Sequence, residues 1–145
     1  AARLAEICLG KLGLDFVSAD QVWTVALACM SEHTHLLKNR QLDQILLCSI
    51  YSICKLNSLN VKSKNGSEIS KVSFEFIKRK YSEILEGGYE SAKQNIFTKI
   101  PLKCSGTFGS LKKFYNEMFV PTLKSYIFDF KDFHKQQAAI ASVIS

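Results

Sequence analysis

Proline and glycine are scarce, with two prolines and seven glycines in 145 residues. That excludes collagen-like and low-complexity chains and leaves little to interrupt helices. Long apolar runs are missing too. None approaches the roughly 18 residues that a membrane-spanning helix needs, so no membrane association is expected. There is no initiator Met, and residues 1–10 have neither a basic leader nor a cleavage site. Helical spacing begins at once (Leu4, Ile7, Cys8, Leu12), so the chain is expected to be part of something longer or processed. Several catalytic signatures are also absent. There is no Gly-rich phosphate loop, no nucleophile elbow and no His-Glu-x-x-His. With Asp43, Glu75, Glu83, Glu86, Glu90 and Glu117 isolated from one another and read as solvated surface charges, no enzyme is expected.

What remains is material for a core. Apolar residues make up 47% of the sequence and aromatics 11%, which excludes intrinsic disorder and suits one domain spanning residues 1–145. Nineteen Lys and Arg against 13 Asp and Glu give a net charge of +6, a field that attracts acidic partners. The basic residues are scattered (Lys62, Lys64, Lys71, Lys78, Arg79, Lys80, Lys112, Lys113, Lys131, Lys135) and form no reading stripe, so direct DNA binding is not expected. The five cysteines are odd in number, and four sit in apolar helical stretches where a thiol acts as a small hydrophobe. Reduced thiols follow. Cys48 and Cys54 diverge by about 240° on one helix, His33 and His35 diverge as well, and no Cys-x-x-Cys accompanies them, so neither a metal nor any other cofactor is expected.

The periodicity is helical throughout, with no alternation long enough for a sheet. Ser18-Ala-Asp-Gln21 offers a capping box for a helix containing Trp23, Ala26, Leu27 and Met30 and closing at Leu36 or Leu37. From Arg40 to Asn57, Leu42, Ile45, Leu46, Leu47, Cys48, Ile50, Tyr51, Ile53 and Cys54 cover nearly every face, which belongs in the middle of a bundle. Asn60–Lys71 reads as a mobile basic loop. A fourth helix over Ser70–Leu85 has one stripe (Phe74, Ile77, Tyr81, Ile84) and stops at Gly87-Gly88. Residues 88–109 read as an irregular excursion. Ser110 opens the last strong helix, in which Pro121 is expected to produce a kink by removing the bond to the Glu117 carbonyl. A weaker helix is expected over Phe133–Ile144. The fold class is all-α: five helices around a central apolar one.

Two clusters carry more than packing. LDQI followed by Cys48-Ser-Ile-Tyr51-Ser-Ile-Cys54-Lys55, and then Phe114-Tyr115-Asn116-Glu117-Met118-Phe119, resemble in type and order the second cyclin-like half of the pocket of retinoblastoma family proteins. The resemblance begins near Arg3-Leu4, takes in Trp23, and is densest over residues 39–56 and 113–124. It implies a cyclin fold with additional terminal helices, nuclear localisation, and a role in repressing cell-cycle genes. It also implies a groove for partners bearing Leu-x-Cys-x-Glu, among them histone deacetylase complexes and viral oncoproteins. Two more partners are implied: the first pocket half of the same parent protein, and a transcription-factor transactivation segment gripped between the halves.

By the same resemblance Tyr51, Lys55, Tyr115 and Asn116 line the groove, and backbone amides at Phe74 and Glu75 hold the peptide glutamate. Lys124 matches a family lysine facing acidic flanks, and Cys48 matches a buried structural cysteine. The residue types suit an extended peptide, whose backbone needs side-chain donors and acceptors. Tyr51 and Lys55, four apart, share a helix face. Taken alone, Tyr51, Tyr115 and Asn116 would be read as helix packing; the paired motifs point to the groove. Two departures stand out, a longer loop over Asn60–Lys71 and Glu75 where the family often has Lys, a carboxylate opposing acidic partners. The alternative is another cyclin-fold branch, a kinase-activating cyclin or a basal transcription factor.

Overall fold

The computed structural model describes residues 2–57, 60–62 and 69–129; the helix expected over 133–144 lies outside them. Helix α1 starts over Ala2–Ala5 and widens into a π-helical stretch, Glu6–Lys11. Helix α2 runs from Phe16 to Glu32. Its cap is Asp15, whose carboxylate accepts from the Ser18 amide at 2.6 Å, and not the expected Ser18. Ser18 lies inside the first turn, buried, where its hydroxyl accepts from the Asn57 side chain at 3.2 Å. A 3₁₀ turn, Thr34–Leu37, buries Leu36 and leads to helix α3, Leu42–Leu56.

Helix α3 is the axis of the molecule. Gln41 and Gln44 cap its start reciprocally, and the side chains from Gln44 to Ile50 and from Ser52 to Cys54 are buried. The polar ones are satisfied locally. Ser49 donates to the Ile45 carbonyl and Ser52 to the Ser49 carbonyl, both at 2.8 Å, and the Gln44 amide reaches the Ile96 carbonyl at 3.1 Å. Helix α2 makes its most extensive packing against α3.

After α3 the expected loop contains an antiparallel hairpin, β1 (Asn60–Lys62) with β2 (Ile69–Lys71), in which Asn60 lies opposite Lys71. Three-residue strands are too short for alternation to reveal. Helix α4 (Phe74–Ser82) therefore begins later than expected, with Ser73 accepting from the Phe76 amide at 3.1 Å. Gly87 and Gly88 turn the chain with φ of +88° and +68°, conformations that glycine adopts without steric cost. The excursion is more ordered than expected. It holds helix α5 (Gly88–Asn95), whose single buried side chain, Ala92, gave no stripe to read. A second hairpin follows, β3 (Ile100–Pro101) with β4 (Phe108–Gly109).

Ser110 caps helix α6 as expected, accepting from the Lys113 amide at 3.2 Å. The helix is α over Leu111–Phe114, π over Tyr115–Phe119 and α again over 120–129. At Pro121, where a kink is expected, the turn before it widens, and the Val120 amide donates to the Tyr115 carbonyl five residues back. The result is the all-α, cyclin-like arrangement, with two short hairpins added.

Two polar ties join these elements. Asp43, expected to be a free surface charge, is largely covered; it receives the Tyr81 hydroxyl and pairs with Arg3 at 3.0 Å, linking α3, α4 and α1. Burial, together with that carboxylate, holds the Tyr81 hydroxyl pKa well above its ordinary range. Arg40 donates to the carbonyls of His35, Leu36 and Pro101 at 2.9–3.2 Å and to Met118 Sδ at 3.1 Å, and it lies 4.9 Å over the Phe114 ring.

Tyr81→Phe removes a hydrogen bond to a charged, sheltered carboxylate and is expected to lower the unfolding free energy by about 1.5–3 kcal/mol in urea titration. The buried thiols set an alkaline limit. Burial raises the pKa of Cys8, Cys29 and Cys54 from 9.0 to about 12. The folded chain thus retains protons that the unfolded chain releases between those values, and stability is expected to fall as pH rises from about 9 toward 12. Urea midpoints measured at pH 7.5, 9 and 10 test this.

Candidate functional site

The C-terminal half of α3, the start of α4 and the widened part of α6 meet on one side of the core. Tyr51, Phe74 and Tyr115 form an aromatic triangle there. The Tyr51 centroid lies 4.5 Å from Phe74 and 5.0 Å from Tyr115, and Phe74 and Tyr115 are 5.6 Å apart. The two pairs made by Tyr115 are edge-to-face, an arrangement that interacts favourably beyond its buried area. Phe119, one turn along α6, stacks on Tyr115 at 5.7 Å. The rings fix one another, and burial, with Tyr51 and Cys48 beside it, raises the Tyr115 hydroxyl pKa.

A groove of about 410 Å³ opens next to this triangle. Lys55, Leu56 and Ser52 line it from α3, and Tyr115, Asn116, Val120, Lys124, Ile127 and Phe128 line it from α6. Four of the residues singled out from sequence, Lys55, Tyr115, Asn116 and Lys124, thus share one groove. Tyr51 and Phe74 stand behind it through their contacts with Tyr115. Lys55 lies 6.0 Å over the Tyr51 ring and Lys124 lies 6.0 Å over Phe128, so both ammonium groups sit at the rim while their stems cover apolar surface. Asn116, Lys55 and Lys124 are exposed. Among the described residues, the Asn116 side chain makes no internal hydrogen bond, which leaves its donor and acceptor to the groove.

Phe74 occupies the first position of α4 and is buried. The Ser73 cap serves the Phe76 amide, so the first two amides of the helix, those of Phe74 and Glu75, have no acceptor within it. Glu75 is not a lone carboxylate. Its Oε1 lies 2.6 Å from Lys78 Nζ, one turn along α4, and this pair offsets the opposing charge expected from sequence. Cys48 is fully buried behind the triangle, and burial raises its thiol pKa well above the ordinary value.

Sequence reasoning missed the apolar walls Leu56, Val120, Ile127 and Phe128. Val120 was within reach, since it stands four residues from both Asn116 and Lys124. The groove is lined by apolar side chains with amide, hydroxyl and ammonium groups at the edge, a combination of pockets and backbone partners that suits an extended segment. No cluster of His, Cys, Asp and Glu suited to a metal occurs among the described residues.

Comparison with known proteins bears on identity. A family model described as the retinoblastoma-associated protein B domain matches residues 1–124. Retinoblastoma-related protein 1 of Triticum aestivum is 29% identical over 134 residues, covering 89% of this chain and 13% of that protein. Retinoblastoma-like protein 1 of Homo sapiens is 27% identical over 147 residues, covering 87% and 14%. Retinoblastoma-like protein A of Dictyostelium discoideum is 37% identical over 70 residues, covering 48% and 5%. The chain therefore spans between 5% and 14% of the length of these relatives. With a family model covering most of its length, the chain belongs to the retinoblastoma family, as the B half of the pocket.

Proposed function

We propose that residues 1–145 are the docking half of a nuclear transcriptional corepressor acting in cell-cycle control, and that the groove between α3 and α6 binds extended Leu-x-Cys-x-Glu segments of chromatin regulators and viral oncoproteins. The observation that carries this reading is the convergence of Tyr51, Phe74 and Tyr115 beside a groove rimmed by Lys55, Asn116 and Lys124. In this reading the peptide leucine and cysteine occupy the apolar walls, and Asn116 pairs with the peptide backbone. The two free amides at the start of α4 receive the glutamate, as a helix N-terminus favours an anion. Lys55 and Lys124 face acidic flanks. The domain acts by binding and carries out no catalysis.

A first pocket half is the second partner. Phe16 is 81% exposed and Val17 53%, with Leu27 and Leu42 also open to solvent, apolar surface that a companion domain would cover. A transactivation segment held between two such halves would need both. The family match leaves no ground for the alternative of a kinase-activating cyclin or a basal transcription factor.

A Leu-x-Cys-x-Glu peptide is expected to bind with a Kd of about 1 μM or tighter, near −8 kcal/mol, and Tyr115→Ala or Asn116→Ala to weaken it about tenfold or more. Titration calorimetry reads both. No binding by a wild-type domain that circular dichroism shows to be helical would overturn the reading. Glu75→Lys is expected to tighten binding of acid-flanked peptides about two- to fivefold at low salt, the gain disappearing near 1 M salt as screening removes it.

A further inference from the structure

On α6 the groove is lined by Tyr115, Asn116, Val120, Lys124, Ile127 and Phe128. On an uninterrupted α-helix, at about 100° per residue, these six would spread over roughly 220° of the circumference, with Lys124 across the helix from Tyr115. One wall cannot hold them all. They share a wall because Tyr115–Phe119 is π-helical. The Val120 amide reaches the Tyr115 carbonyl and not that of Asn116, so one residue is taken up without advancing the face. Everything after it is turned back by about 100°, and the six fall within roughly 120°. The same rotation keeps the fully buried Phe119 and Leu123 on the core side with Leu111 and Phe114.

Pro121 stands two residues beyond this segment. In an α-helix a proline ring collides with the carbonyl four residues back. Here that carbonyl is Glu117, at the centre of the widened turn, where the backbone departs from the α-helical spacing that produces the collision. The geometry points to Pro121 as a positioning residue that holds the five-residue turn open and so decides which α6 side chains face a peptide. The inference rests on the groove being the peptide site proposed above. Pro121 itself touches no ligand in this scheme and acts through the phase of the helix.

Phase can be separated from folding. Pro121→Ala lets the helix close to regular α and turns Val120, Lys124, Ile127 and Phe128 away from Tyr115. Combining it with deletion of the exposed Glu117 removes the surplus residue and restores the original phase without a π-turn. Calorimetry with a Leu-x-Cys-x-Glu peptide is expected to show at least tenfold weaker binding for Pro121→Ala and binding within threefold of wild type for the combined variant. Undiminished binding by a folded Pro121→Ala protein overturns the proposal. If that variant does not fold, the combined one decides, retained binding supporting the proposal and loss overturning it. If wild type itself does not bind, the peptide reading fails and the register proposal is judged by NMR scalar couplings across hydrogen bonds. The Val120 amide should couple to the Tyr115 carbonyl in wild type and to that of Asn116 in Pro121→Ala; an unchanged pairing in the variant overturns it.

Discussion

A helix apolar on every face has no side to give to water, and α3 imposes that condition on everything around it. Ile45, Leu47, Cys48, Ile50 and Ile53 are inaccessible, so α2, the 3₁₀ turn, α4 and the segment after α5 must each cover part of one cylinder. The polar residues on α3 obey the same rule. Ser49 and Ser52 return their hydroxyls to the helix's own carbonyls, and Gln44 serves both the cap and Ile96. The end of α3 near Tyr51 and Lys55 escapes full enclosure, and there the groove opens.

Where burial is extensive along a long helix, the sequence was readable. The central position of α3, the Ser110 cap and the Phe74, Ile77, Tyr81 stripe follow from spacing alone. The rest failed for identifiable reasons. Ser18 and Asp15 are both competent caps, and only the tertiary bond from Asn57 explains why Ser18 is enclosed. Helix α5 buries a single alanine, and two- or three-residue strands have no period. Asp43 looked like any surface acid because its partners, Arg3 and Tyr81, lie 40 and 38 residues away.

The candidate site was legible in a different manner. Spacing placed Tyr51 and Lys55 on one face, but nothing local joins them to Tyr115 and Asn116. That link came from motif order, and the ring distances supply its geometry. The apolar walls stayed hidden because a helix that changes its pitch hides its own faces from a fixed-period reading. Charge is arranged with similar economy. Lys78 stands between Glu75 and the Phe97 ring, so an acid beside the groove is answered from its own helix.

Arg40 gives the fold a fastening of unusual chemistry. Its bonds run to three backbone carbonyls, a thioether and an aromatic face, and among the described residues it meets no carboxylate. Burial lowers its pKa from 12.5, yet an arginine this basic stays charged at any physiological pH. Carbonyls do not titrate, so protonation has nothing to release at this corner, and dissolved ions have no anionic partner to displace. The junction of the 3₁₀ turn, the second hairpin and α6 is therefore held by a cation that acidification leaves in place.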